Sequence, residues 1–379
     1  MAVEWSNKYS LIQSNKTDEG LVSFWRSPGN SDAAWDEFLM KSAMGQFQQS
    51  GMWAQVKEVD GWESLRVVAT IEHNIVGGFQ ILWRKTRFGR IGYVSKGPVA
   101  VPEKQNLIEM LVILMREQAL RNKILALLVQ PPDDSRMTSD ILDCHHFIRS
   151  NPLGVIETTL LVDVSHGEEF LDKRMSRKRR KNVRLAEKYG VTIREGTEHD
   201  IGLFFDLMCA TCQRQGVKPN PPTEKSLRKL WLTFSRHNCL RVTFAEYNQE
   251  VIAGVINIVF GAKVNMWKKG WNFKYPDCRP NDLLFYETLH WACSNKFNNC
   301  DCIAFDRSIA DAMQIGQPLS DIQQKSLHIF NLQFGGIPKL LPPARIWIAN
   351  PLLRLFYEKV FARLAFFRDL SGSFLTGSQ

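Results

Sequence analysis

What the chain has least of is uninterrupted apolar sequence. Its longest apolar windows, such as Ile108 to Met115, are too short and too closely flanked by charge to cross a bilayer. Met1 to Gly20 is polar and mixed in charge, without the basic, apolar and small-residue order of a secretory signal. The 8 cysteines follow no disulfide framework. Cys209 and Cys212 form a CxxC, but no second pair or His pair stands at zinc-finger spacing, so reduced core thiols and no metal are expected. Adjacent His145 and His146 point apart on most backbones, which disfavours a shared metal ion. Acidic residues are the scarcer charge: 39 Asp and Glu against 48 Lys and Arg leave +9, which favours a polyanionic partner such as nucleic acid, a nucleotide pyrophosphate or an anionic membrane face. The expectation is a soluble, cytoplasmic chain.

What is there reads as globular, with 44% hydrophobic and 23% charged residues, and 379 residues is more than one core usually fills. One unit is written twice. LRVVATIEHNIVGGFQIL from Leu65 lines up with LRVTFAEYNQEVIAGVINIV from Leu240, and Gly78 faces Gly254. Each hairpin leads through a third strand and a Pro-containing turn into an apolar-periodic helix, Glu103 to Leu120 or Asn281 to Ser294. Each helix hands over to a buried strand, expected at Ile124 to Val129 and at Cys302 to Phe305. The spacing predicts an α+β chain of mixed sheets with helices on their faces. Its parts are a reduced domain over 1–155, a complete one over 156–345 and an amphipathic C-terminal helix over 346–379.

Residues 1–30 read as a lead-in strand and loops, and Ser31-Asp32 caps a short helix carrying Trp35, Phe38 and Leu39. The most charged passage runs from Lys173 to Lys188. Helical spacing gathers Arg177, Arg180, Lys181 and Arg184 near one face, with Val183, Leu185 and Ala186 as an apolar side for docking. Like charges so close repel, so an anion bridging them gains charge-assisted hydrogen bonds. A merely solvated face explains the same composition, and the two readings stay open. Trp267, Trp271 and Phe273 form an aromatic cluster that either packs a core or stacks a ring of a ligand. In the C-terminal stretch Leu352, Phe356, Val360, Leu364 and Phe367 recur at helical spacing, with Arg354, Lys359, Arg363 and Arg368 around them. Such a helix caps the second domain or lies on an anionic membrane surface.

Two helices, then strand, strand, strand, helix and strand, is the order of an N-acetyltransferase-like fold. Several short motifs in sequence order carry a closer likeness. They are Gln49-Ser50 with Trp53 and Lys57; Gly97-Pro98-Val99; the run from Arg179 to Arg184 before Gly190-Val191; Arg214-Gln215-Gly216-Val217; Pro280 with Leu283-Leu284; Asp306; and the run from Phe330 to Gly336. From about Phe47 to Leu355 the chain resembles the Fem-type aminoacyltransferases and the related BioF2-like acetyltransferase domains, which carry two GNAT-like folds in tandem.

The resemblance implies an acyltransferase that moves an activated acyl group, an aminoacyl group from aminoacyl-tRNA or an acetyl group from acyl-CoA, onto an amine of a phosphorylated glycan or peptide precursor of the cell envelope. It implies no bound cofactor. It places Lys57, Trp53 and the cluster of Arg177, Arg180, Lys181 and Arg184 against the acceptor's phosphates, with Trp271 as a further binding residue, and sets Phe330 beside the reacting carbonyl. Two positions depart from the pattern. Ala100 and Val101 stand where the peptidoglycan enzymes carry an Asp, and Asn331 replaces a Lys. Aminolysis passes through a tetrahedral oxyanion that a cation stabilises, so either Lys268, Lys269 or a backbone N–H of the third strand stands in for the lost Lys or the chain has lost turnover. For the general base Asp306 ranks first, at a strand end, ahead of His290 and His328. The turn from Tyr275 to Asp282 has no Gly, and Asp282 places negative charge where coenzyme A phosphates would dock, which favours a bulkier donor. Two classes remain: a transferase working at the inner face of the membrane, and a non-catalytic binder of anionic glycan precursors that lost turnover with Asn331.

Overall fold

The computed structural model describes residues 8–18, 20–150 and 155–361. It divides into two units, one made of the described residues up to Val155 and from Pro342 onward, the other of Ile156–Leu341.

In unit 1, β1 (Ser10–Thr17) and β2 (Gly20–Arg26) pair as a hairpin rather than a single strand followed by loops. Next come α1 (Ala33–Lys41) and α2 (Gly51–Glu58). Asp32 caps α1 by accepting from the Trp35 N–H at 3.0 Å, and Ser50 caps α2 by accepting from the Trp53 N–H at 3.0 Å. The sheet continues with β3 (Glu63–Ile71), β4 (Asn74–Thr86), β5 (Gly89–Ser95) and the short β6 (Val99–Ala100). Helix α3 (Gln105–Arg121) then crosses over to β7 (Ile124–Gln130), followed by α4 (Arg136–Cys144) and β8 (Ile148–Arg149). Helix α3 turns Ile108, Leu111, Val112 and Met115 into the core that β3, β4 and β7 build from their alternate residues.

Unit 2 opens with β9 (Thr158–Asp163). The basic passage follows as two helices rather than one, α5 (Glu168–Arg174) and α6 (Arg177–Tyr189), because Ser176 caps the second by accepting from the Arg179 N–H. Then come β10 (Thr192–Glu195), α7 (Ile201–Gln215) and α8 (Glu224–Phe234). The hairpin of β11 (Leu240–Tyr247) and β12 (Glu250–Phe260) leads to β13 (Lys263–Trp271), α9 (Pro280–Ser294) and β14 (Asn299–Asp301). The unit closes with α10 (Arg307–Gln314), α11 (Asp321–Gln324), α12 (Leu327–Leu332) and β15 (Ile337–Leu340), giving a sheet in the order β10-β11-β12-β13-β14-β9-β15.

Strand β14 lies earlier than the Cys302–Phe305 that the apolar run predicts. Asp301 accepts from the Ile303 N–H at 2.9 Å, and Ile303 and Ala304 take φ of 43° and 60°, so the chain leaves the sheet at once.

The last elements are β16 (Arg345–Ile348) and α13 (Pro351–Phe356). Here the second unit ends at Leu341 rather than at 345, and the C-terminal stretch opens with a strand of unit 1 rather than with a helix. Strand β16 pairs antiparallel with β7 from Arg345↔Val129 to Ile348↔Ala126, so that unit 1's sheet runs β1-β2-β3-β4-β5-β7-β16-β8. An unpaired edge of apolar β7 is covered that way. Leu352 and Phe356 on α13 are exposed, whereas Leu364, Phe367, Arg363 and Arg368 of the predicted stripe lie outside the described residues.

The repeated hairpin is preserved down to its irregularity. Val68 pairs Gly78 and Phe244 pairs Gly254, an offset of 176 at both positions, and each ladder slips one pair later, between Ala69 and Thr70 or between Ala245 and Glu246. Each glycine admits an aromatic ring from a preceding helix. A Cβ at Gly78 would lie 2.9 Å from the Trp35 ring, and one at Gly254 would lie 3.2 Å from the Phe204 ring.

Candidate functional site

In unit 2 the third strand of the repeat parts from its parallel neighbour. Ile256 pairs Lys268 but Asn257 pairs Met266, which leaves Trp267 as an extra residue in β13, and the bulge adds local twist. The β13–β14 ladder covers only Lys263, Val264 and Asn265. Beyond it Met266–Trp271 forms one lip of a cavity of about 1030 Å³, and Cys302, Ile303 and Ala304 form the other. The start of α9 supplies the floor. Helix α7 rides close over β13 because residue 270 is glycine: a Cβ there would lie 2.7 Å from Leu207 Cβ and 2.8 Å from the Met208 nitrogen. Crevices at strand ends where a parallel pair separates are where open α/β sheets bind ligands.

The lining is strongly cationic. It includes eight lysines and arginines, Lys178, Arg179, Arg214, Lys218, Lys268, Lys269, Arg279 and Lys325, against a single acid, Asp282. That acid is engaged from within. Arg179 Nη1 donates to Asp282 Oδ1 at 2.6 Å, Asn182 Nδ2 donates to the same oxygen at 3.1 Å, and Arg179 Nε donates to Gln333 Oε1 at 2.9 Å. Burial pushes the Asp282 carboxyl up against the pull of Arg179 and Asn182. The bare negative charge expected at the head of α9 is therefore an internal ion pair.

Across the cavity Lys269 Nζ donates to Asn331 Oδ1 at 3.2 Å and stands 4.6 Å from the Phe285 ring centroid. Burial lowers the Lys269 pKa, which leaves its ammonium poorly solvated and responsive to an anion placed beside it. Phe330 stacks edge-on to Phe285 at 5.8 Å and carries the Arg179 guanidinium over its ring at 4.5 Å. His328 lines the same space. Burial lowers its pKa, Asp306 pulls it back up and Lys269 lowers it further, so the imidazole is neutral at pH 7 and able to accept a proton. At the rim Arg214 lies 3.9 Å over the Phe273 ring, and Phe273 packs 4.4 Å from Trp271.

The structure thus gathers Lys268, Lys269, Trp271, His328, Phe330 and Asn331 in one cavity. It places the other sequence candidates elsewhere. Asp306 is the N-cap of α10, accepting from the Ile309 N–H at 3.1 Å and from the Ser308 hydroxyl at 2.6 Å. Burial alone would raise its pKa, but those hydrogen bonds outweigh it and the carboxyl is held below its usual range, which makes it a weaker base than expected. His290 is tied down by Asp172 at 3.2 Å and Glu168 at 3.4 Å, away from the cavity lining.

Trp53, 2% exposed, packs edge-on to Phe47 in unit 1's core rather than facing a substrate. Lys57, 3% exposed, sits 3.5 Å from Asp60, and burial pushes its pKa down to about 8. On α6, Arg180 donates to the backbone carbonyls of Asp172 and Met175 at the end of α5, while Arg177, Lys181 and Arg184 are exposed and do not line the cavity. The residues of α6 that do line it are Lys178, Arg179 and Asn182, which the sequence argument passed over. Their i and i+3 or i+4 spacing was visible, but every face of that helix carries cations, so spacing alone could not select one.

All eight cysteines are free, and Cys144 is exposed rather than a core thiol. Among the described residues no group of three or more His, Cys, Asp or Glu side chains is placed to hold a metal ion, and no helix is long and apolar enough to cross a membrane.

Comparison with known proteins agrees with this geometry. The chain is 25% identical over 198 residues to the Lipid II:glycine glycyltransferase of Staphylococcus saprophyticus, covering 49% of this chain and 48% of that one. It is 25% identical over 193 residues to the Staphylococcus epidermidis protein of the same name, covering 48% and 46%. The chain spans about half the length of the curated relatives it matches. Among solved structures it superposes on FemX with a TM-score of 0.73 at 16% identity, over 86% of this chain and 97% of that one. A tandem GNAT protein from the clavulanic acid biosynthesis pathway superposes with a TM-score of 0.52 at 11% identity, over 87% and 99%. Residues 172–306 match the acetyltransferase (GNAT) domain and residues 31–144 match the FemAB family. The likeness to the FemAB family thus lies in unit 1, and the likeness to the GNAT domain in the unit that holds the basic cavity.

Proposed function

We propose that this protein is an N-acyltransferase of Fem type, moving an aminoacyl group from aminoacyl-tRNA onto an amine of a phosphorylated cell-envelope precursor, and that the chemistry takes place in the cavity of unit 2. The observation that carries the reading is the splay of β13 from β14, lined by eight Lys and Arg side chains and a single internally paired acid. The names of the staphylococcal relatives supply the reaction class and the Lipid II acceptor. A donor that is itself a polyanion suits the cationic lining.

In this reading the precursor's amine attacks the ester carbonyl, a C–N bond forms, the C–O bond to the ribose breaks and the 3′-hydroxyl leaves with a proton. His328 takes the proton from the attacking amine and returns one to the leaving oxygen. Lys269, held by Asn331, faces the oxyanion and takes the part of the missing family Lys. Phe330 and Phe285 wall the carbonyl from water. The surface cations Arg177, Lys181 and Arg184 steer phosphorylated partners toward the protein without contacting the reacting atoms. Contact with the anionic inner membrane face, through exposed Leu352, Leu353, Leu355 and Phe356, is part of the same proposal.

The test supplies purified protein with total cell-envelope precursors and, separately, radiolabelled aminoacyl-tRNA or acetyl coenzyme A. Label moving to precursor from aminoacyl-tRNA supports the reading. Precursor binding with no transfer from either donor would assign the chain to the non-catalytic class that Asn331 raises.

A further inference from the structure

We propose that Asp282 is a donor-specificity residue: its carboxylate is a resident anion at the head of α9, where a nucleotide pyrophosphate would otherwise be held, and it turns away donors that carry one. The inference rests on the reading of unit 2's cavity as the donor site.

Helix α9 follows Arg279, whose φ is 53°, and begins with Pro280, so Asp282 is its third residue. Fifteen aligned peptide units concentrate partial positive charge at that end, and anions are drawn there. The place is already taken. Asp282 is only 4% exposed, and its Oδ1 accepts from both Arg179 and Asn182, which stand one turn apart on α6. Two groups that would greet an incoming phosphate beside the helix N-terminus, the Arg179 guanidinium and the Asn182 amide, are engaged by one internal carboxylate. A pyrophosphate entering there would meet like charge at close range and would have to break a buried ion pair. The preceding turn adds a steric bar. Tyr275 and Arg279 both hold left-handed conformations with full side chains, where a glycine would let a phosphate approach the backbone. Donors whose charges are phosphodiesters spread along a strand do not need that position, since Arg214, Lys218, Lys268 and Lys325 line the rest of the cavity.

The full chain is compared with D282N and D282G by calorimetric titration with inorganic pyrophosphate and with coenzyme A, and by thermal melting with pyrophosphate or with sulfate at matched ionic strength. Removing the carboxylate frees Arg179 and Asn182 for an exogenous anion. Both variants are expected to bind pyrophosphate at least about tenfold more tightly than the wild type. Their melting temperatures should rise with pyrophosphate beyond the sulfate control, while that of the wild type does not. The gain should vanish in R179Q/D282N. Wild-type protein binding pyrophosphate or coenzyme A in the micromolar range, or variants no tighter than wild type, would overturn the proposal. The wild-type arm decides even where D282G does not fold. Because no arm measures acyl transfer, failure of the aminoacyl assay and failure of this inference are read separately.

Discussion

The two copies of the repeated hairpin differ most where their third strands meet a parallel partner. In unit 1 the β5–β7 ladder, once past a slip between Arg90 and Ile91, runs on through Ser95↔Gln130. In unit 2 the corresponding β13–β14 ladder stops at Asn265↔Asp301, two residues before the Trp267 bulge turns β13 aside. The charge at the junction differs as well. Unit 1 pairs buried cations with buried acids and polar groups, such as Arg66 among Asp32, Ser27 and Gln80, or Lys96 against Asp133 at 2.7 Å. Unit 2 turns its cations into the gap between parted strands. One scaffold is thus packed shut in one copy and opens a cation-lined cavity in the other, and the change rests on a bulge and a short strand rather than on a new fold.

That contrast is broken most severely at His328. Replacing it with Gln should reduce aminoacyl transfer by a hundredfold or more, on the order of what a positioned general base contributes, with the melting temperature little changed. The wild-type rate should rise with pH on a limb below the ordinary histidine range, because burial and Lys269 lower the His328 pKa, and this limb should be absent in H328Q. An unchanged rate for H328Q would move the base elsewhere.

Lys269→Met comes next, with an expected loss of ~3 kcal/mol of transition-state stabilisation, on the order of a hundredfold in kcat. Its lowered pKa should also make the wild-type rate decline at a pH below the usual lysine value, as the ammonium is lost. A K269M effect confined to KM would count against an oxyanion role.

Unit 1 offers a stability test of its own. Lys57 has its folded pKa lowered from 10.5 to about 8, so the native state binds fewer protons than the unfolded chain between those values, and stability rises as pH climbs through that window. Chemical denaturation should show a gain of about 3 kcal/mol, and Lys57→Met should flatten the slope. An acyl-transfer defect in K57M without a change in that slope would argue instead for a direct role in binding.

The smallest effects sharpen the duplication itself. G78A and G254A both push a methyl into an aromatic neighbour, and each should cost about 1 to 2 kcal/mol. G78A should cost more, because Gly78 also holds φ at 155° with a Val67 carbonyl 2.3 Å from the added Cβ. Equal tolerance of both by thermal melting would mean the matched ring contacts do not matter.

Much of this was legible beforehand, for local reasons. The matched hairpins, the capping of α1 by Asp32 and the alternation of α3 follow from period and cap chemistry, which act over a few residues. The misreadings share a non-local cause. Ile303-Ala304-Phe305 has strand-like composition, yet the Asp301 side chain captures the Ile303 N–H and ends the strand before it. Strand β16 completes a sheet whose partner lies more than two hundred residues earlier, from Arg345 back to Val129. Asp282 finds Arg179 across 103 positions, so its charge looked unpaired in the sequence. The basic helix shows the limit of periodicity most plainly: Arg180 caps carbonyls and Arg179 faces the cleft, though they are neighbours of the same charge.

The central claim, that acyl transfer belongs to the parted strands of the second copy, is tested most directly by photo-crosslinking. An aminoacyl-tRNA analogue with a photoreactive group on the aminoacyl moiety is irradiated with the full chain, and the labelled peptides are mapped by mass spectrometry. Label on Met266–Trp271, on Cys302–Ala304 or on the segment holding His328 and Asn331 is the predicted result. Label concentrated on β5 and β7 of the first copy would contradict it.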